Sequence, residues 1–173
     1  MRAITTTLLA CGAFAGLAIA AQVAGQPAAA NRPAPAPKSA TIPRPSLEEA
    51  QKALNAAVAS AKSQGVALSC AVVDVRGDLV ALARMDDAGF LTASIAQGKA
   101  MSSALFGRPS ADLARMGASP FFASLNASMG NRMIPAQGAV PIVRNDRVIG
   151  AIGCSGGAPQ QDETAAKAGE ATF

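Results

Sequence analysis

Two pairs of apolar, β-branched runs, each joined by a very short turn, constrain this chain more than any other feature. Residues 66–75 and 79–84 flank Arg76-Gly77-Asp78, and residues 139–143 and 147–153 flank a turn at Asn145-Asp146. A parallel connection needs a dozen or more residues, so each pair predicts an antiparallel hairpin. Helical periodicity surrounds them. Leu47, Ala50, Leu54, Ala57, Val58 and Ala61 recur at helical spacing behind Ser46 and Glu49, which have the spacing of a capping box. An alanine-rich stretch over 92–106 reads as a second helix, stopped by Gly107-Arg108-Pro109. Ser110 and Ser119 read as N-caps of two shorter helices, and residues 159–169 as a last one. With a fifth, short strand near Met133, the pattern predicts an α+β single domain: a five-stranded antiparallel sheet covered on one face by helices.

The domain is expected to occupy residues 46–173. Residues 1–21 carry Arg2, an apolar run from Leu8 to Ala21 and the small-residue site Ala18-Ile19-Ala20, which reads as a signal peptide. Residues 22–45 are rich in Ala and Pro and read as a disordered arm, since that composition cannot build a core. A periplasmic or secreted protein with no stable membrane span after leader cleavage is the expectation. The net charge of +4 then changes meaning. Four of the basic residues (Arg2, Arg32, Lys38, Arg44) precede Ser46, and the remaining 11 match the 11 acids. A neutral domain offers no basic face for nucleic acid.

Histidine, tryptophan and tyrosine are absent. That excludes Ser-His-Asp and Cys-His catalysis, histidine metal sites and tyrosinate ligands. Asp, Glu, Lys, Arg, Ser, Thr and cysteine remain, a set that binds ligands well and supplies no ready general base near neutral pH. The composition therefore favours binding over catalysis.

The strand-to-helix junction at 148–163 is the segment best suited to a ligand. Its loop, Cys154, Ser155, Gly156 and Gly157, precedes a helix whose first turn carries Asp162 and Glu163, an arrangement that can present backbone N–H groups. The alternative for the glycines is a turn that simply needs positive φ. Lys99 and Arg84 are the cations able to hold a carboxylate by charge-assisted hydrogen bonds, or to be a solvated helix face and strand end. Asp74 reads as a strand-end turn acid. The methionines at 85, 101, 116, 129 and 133 read as core filling, with an axial thioether as the sharper use. Cys70 and Cys154 fall on predicted strands. Export permits a disulfide, but two buried thiols are the expectation, because nothing in the sequence brings their Cα atoms to bridging distance.

Several segments in order, Val72-Val73-Asp74, Gly77-Asp78-Leu79-Val80-Ala81, Arg84-Met85-Asp86, Lys99-Ala100, Val140-Pro141-Ile142, residues 148–157 and Gln161-Asp162-Glu163, resemble the GlcG/HbpS-like family. That family also occurs as the C-terminal domain of PduO-type cobalamin adenosyltransferases. The resemblance spans residues 47–169 and implies a five-stranded α+β fold, homo-oligomers, and haem or related small-molecule binding in some members. It adds Val140 and Pro141 to the ligand-binding candidates Arg84, Met85, Lys99, Cys154, Ser155, Gly156, Gly157 and Asp162. The chain departs from the family at Asp78, where the family often has histidine, and at Ala139, where it tends to have glycine. Haem, if bound, is then not held through histidine; Met85, Met101, Cys154, Lys99 or no strong axial ligand remain. The leading expectation is an exported small-molecule-binding protein. Alternatives are an enzyme using Asp162, Lys99 and Cys154 on a hydroxy-acid or carbonyl substrate, and an oligomeric accessory subunit of an extracytoplasmic redox system.

Overall fold

Ser46 and Glu49 start the first helix as their spacing predicts: Ser46 Oγ accepts from Glu49 N at 3.2 Å and Glu49 Oε2 accepts from Ser46 N at 2.8 Å. The structure, a computed structural model, describes residues 42–173; the expected signal peptide and nearly all of the expected arm lie outside the described residues. Helix α1 (Leu47–Ser63) buries the stripe Ala50, Ala53, Leu54, Ala57 and Ala61. Strands β1 (Ser69–Asp74) and β2 (Leu79–Arg84) form the first hairpin. Helix α2 (Thr92–Phe106), a 3-10 turn (Ser110–Leu113), and helices α3 (Ala114–Gly117) and α4 (Pro120–Ser128) follow. Strands β3 (Ala139–Arg144) and β4 (Arg147–Ser155) form the second hairpin, and α5 (Pro159–Glu170) closes the chain. Asn145 and Asp146 turn the second hairpin at φ 50° and 57°, the paired positive values of a type I′ turn.

The sheet is antiparallel with order β2-β1-β4-β3. It has four strands among the described residues, not five. Near Met133 the backbone is held by a side chain instead of a strand: Asn126 Oδ1 accepts from Met133 N at 2.9 Å and Asn126 Nδ2 donates to Met133 O at 3.1 Å. Helices cover both faces of the sheet, not one. Cys70, Val72, Val140, Ile142, Ile152 and Cys154 pack with α1 and α5, while Val73 and Ala151 pack with Ala100 and Ala104 of α2. Small residues allow that second layer to approach. A Cβ on Gly153 would lie 2.6 Å from Ala96 O of α2. Ser110 is not an N-cap; Pro109 holds that position. Its hydroxyl instead accepts from Ala139 N at 2.9 Å and faces Ala139 O at 3.3 Å. Ser119 does cap α4, accepting from Phe122 N at 3.1 Å.

Cys70 and Cys154 are not free thiols. They form a disulfide across β1 and β4, 84 residues apart in sequence. Cys154 N donates to Gly138 O beside β3, so its pairing with Cys70 on the other side is a non-hydrogen-bonded one. That is where facing Cα atoms come closest, and here they are 4.1 Å apart.

Candidate functional site

Four of the sequence-predicted groups meet at one end of the sheet. Lys99, on α2, donates to Asp162 Oδ2 at 2.7 Å and to Cys154 O at 3.3 Å. Asp162 Oδ1 accepts from Gly157 N at 3.0 Å, holding the loop to the first turn of α5. Both charged side chains are buried. Gly138 makes the packing possible: at φ 134° a Cβ there would lie 2.8 Å from both Cys154 O and Lys99 Nζ. Ala139, the departure from a second glycine, is accommodated because the residue facing it on β4 is Gly153, which has no side chain. Gly156 has φ 140°, and a Cβ would approach Ala67 O to 2.5 Å. The glycine loop is thus closely packed, and the lysine and the aspartate neutralise each other.

Ser155 differs from its neighbours. It is 6% exposed, and among the described residues its hydroxyl makes no hydrogen bond. The equivalent hydroxyl on β1, Ser69 Oγ, is engaged by Thr92 Oγ1 at 2.8 Å.

The other candidates lie elsewhere. Val140 is a core residue on the α1/α5 face, and Pro141 is half-buried in the edge strand β3. Arg84 donates to Ala88 O at 2.9 Å, and Met85 Sδ accepts from Leu68 N at 3.3 Å. Both border a cavity of about 400 Å³ against Asn55, Val58 and Lys62 of α1. Met101 is buried between α2 and the first hairpin, against Gly77. Cys154, bonded to Cys70, offers no thiol to a substrate.

A larger concavity, not singled out from the sequence, lies at the hairpin-turn end of the sheet. This groove of about 800 Å³ is about evenly apolar and polar: Ile42, Pro43, Pro45, Leu47, Leu79 and Val80 supply apolar wall, and Ser46, Asp74 and Asp78 polar wall. Three guanidinium groups line it from three separate segments: Arg44 from the residues before α1, Arg76 from the first turn and Arg144 from the end of β3. Pro45 is fully buried, packed where a Cβ on Gly150 would stand 3.1 Å from its Cγ. The last residues of the expected arm are therefore part of the folded unit. Asp74 is committed to the turn, its Oδ1 accepting from Arg76 N at 2.8 Å and Asp78 N at 3.1 Å. Asp78 is exposed, and among the described residues its carboxylate, like the side chains of Arg44 and Arg76, has no hydrogen-bond partner. Arg144 is bonded to Glu49. Glu49 is held below the ordinary glutamate range, first by the Ser46 N–H, then by the Ser46 hydroxyl and Arg144, with burial opposing. The signal available in sequence was an arginine at each of two turns and one before the first helix; their convergence is a tertiary fact.

Among the described residues no helix is long and apolar enough to cross a membrane, and no cluster of His, Cys, Asp or Glu is suited to a metal ion.

Comparison with known proteins places these features in context. The family model described as haem degrading protein HbpS-like matches residues 46–171. An uncharacterised 15.0 kDa protein from the dhaT-dhaS intergenic region of Citrobacter freundii is 32% identical over 133 residues, 75% of this chain and 92% of that protein. Protein GlcG of Escherichia coli K12 is 35% identical over 95 residues, 55% of this chain and 69% of GlcG. The crystal structure of a double mutant of Streptomyces reticuli HbpS superposes with a TM-score of 0.68 at 29% identity, covering 82% of this chain and 99% of that one.

Proposed function

This chain belongs to the HbpS-like family, and from that premise we propose that it is an exported binding protein for a small molecule of the haem-related class. The observation that carries the reading is the groove of about 800 Å³ with apolar walls and three arginines. Binding sites for ligands of this size are concave, mostly apolar and furnished with a few placed polar groups. A flat, apolar ring bearing carboxylates suits the groove's mixed lining, since guanidinium groups recognise carboxylates by paired, charge-assisted hydrogen bonds. The leader-like residues 1–21 and the cross-strand disulfide support export.

Titration of the purified chain with hemin tests it. A saturable shift of the Soret band at micromolar ligand is expected, with Arg44→Gln plus Arg76→Gln weakening it about tenfold, as loss of one to two charged hydrogen bonds would. A spectrum that only adds free hemin would sink the proposal.

Ser155, a nearly buried residue at the end of β4, supports a second reading, in which this strand end and the Gly156-Gly157 turn, backed by Lys99 and Asp162, receive the polar end of a ligand. On that reading Ser155→Ala weakens binding and the arginine changes do not. A homo-oligomer belongs to either reading. Exposed Leu79, Leu82, Phe90 and Leu91 supply apolar surface for it, and light scattering that finds a monomer at all concentrations would exclude it.

A further inference from the structure

Among the described residues, iron, unlike the rest of a haem-type ligand, finds no suitable partner in the groove. Haem iron is ordinarily held by imidazole, thiolate, thioether or phenolate donors. The chain contains no histidine or tyrosine, Cys70 and Cys154 are bonded to each other in the core, and the third cysteine, Cys11, lies outside the described residues. Met85 Sδ accepts a backbone N–H away from the groove, and Met101 is buried. Among the groove-lining groups only Asp74 and Asp78 are anionic donors. Asp74 already holds two turn amides through Oδ1, and Asp78 is an exposed carboxylate whose place on a metal water fills equally well. The fit to iron fails, while the fit to a ring with acidic side arms stands.

We infer that the groove recognises the apolar ring and carboxylates of a tetrapyrrole and is indifferent to its central metal, so that metal-free rings are ligands on equal terms with iron-bearing ones. The inference rests on the binding reading given above and narrows it. Two features carry it: the apolar walls face a ring that is apolar whatever its centre holds, and the side chains able to hold an anion, Arg44 and Arg76, come from two separate segments, Arg144 being bonded to Glu49. Neither feature addresses a metal. The donor set therefore discriminates at the ligand's periphery.

Parallel titrations of the full chain, by absorbance and fluorescence, with hemin, zinc protoporphyrin, metal-free protoporphyrin and its dimethyl ester separate the cases. The expected result is that the first three dissociation constants agree within fivefold and that the ester binds at least tenfold more weakly. Arg76→Gln weakens the three acids by a common factor, and Asp78→Ala leaves their ratios unchanged; Arg76 and Asp78 are both exposed, so circular dichroism should show either variant folded. Hemin binding more than fivefold tighter than the metal-free ring overturns the inference while leaving the binding reading intact. An ester bound as well as the acid overturns carboxylate recognition. Failure of every ring to bind removes the binding reading itself and the inference with it.

Discussion

Lys99 shows how far a single residue's role depends on its partner. Read alone it is a cation available to a ligand; in the fold it is buried with Asp162 at 2.7 Å. Removing one member of such a pair leaves an uncompensated buried charge, which typically costs about 3–5 kcal/mol. Lys99→Met is expected to lower stability by about that amount in urea denaturation, and Lys99→Met with Asp162→Asn to recover much of it. Gly138→Ala is expected to destabilise by at least about 1 kcal/mol, because the new Cβ meets two polar atoms at 2.8 Å from a strained φ. Lys99, Asp162 and Gly157 were legible only as separate ligand-binding candidates; the structure bonds them to one another. Their association with each other was not legible, because Lys99 and Asp162 lie 63 residues apart on helices that approach the same strand end. Cys70 and Cys154 failed for the same reason. Cys70 was placed within a strand and Cys154 at a strand's end, but only the sheet order makes those strands neighbours.

At the level of elements, the local signals were strong where the backbone decides. The capping box, the two hairpin turns and the α2 boundaries follow from nearest-neighbour chemistry, and the structure reproduces them. Ser46→Ala should cost about 1 kcal/mol of stability, measured by thermal or urea unfolding. The same cap makes α1 pH-sensitive. Because Glu49 is held below its ordinary value, its contribution is complete above about pH 4.3 and is lost as pH falls through the lowered value. The drop in stability from pH 5 to pH 3 should therefore be shallower in Glu49→Gln than in the unaltered chain. Sequence reading failed where side chains replace backbone partners. Asn126 takes the place of a strand beside Met133, and Ser110 serves the edge of β3 instead of starting a helix. Neither exchange has a local signature.

Across the whole molecule, the disulfide joins the two central strands on the face that packs with α1 and α5. The double variant Cys70→Ala with Cys154→Ala should lose about 2–5 kcal/mol relative to the oxidised chain in urea denaturation. The α+β class was legible because two hairpins alternate with helical segments along the chain. The groove was not, since it is assembled by three segments distant in sequence that share only their position at one end of the sheet. The edges of that sheet carry a final consequence. On β3, the outward-facing amide of Ala139 is already taken by Ser110, and Pro141, whose nitrogen also turns away from β4, has no hydrogen to offer. The opposite border, β2, contains no proline. Further strands can therefore add on one side alone, and two copies joined β2 to β2 would use up that side. Such pairing ends at a dimer and cannot propagate into a fibre.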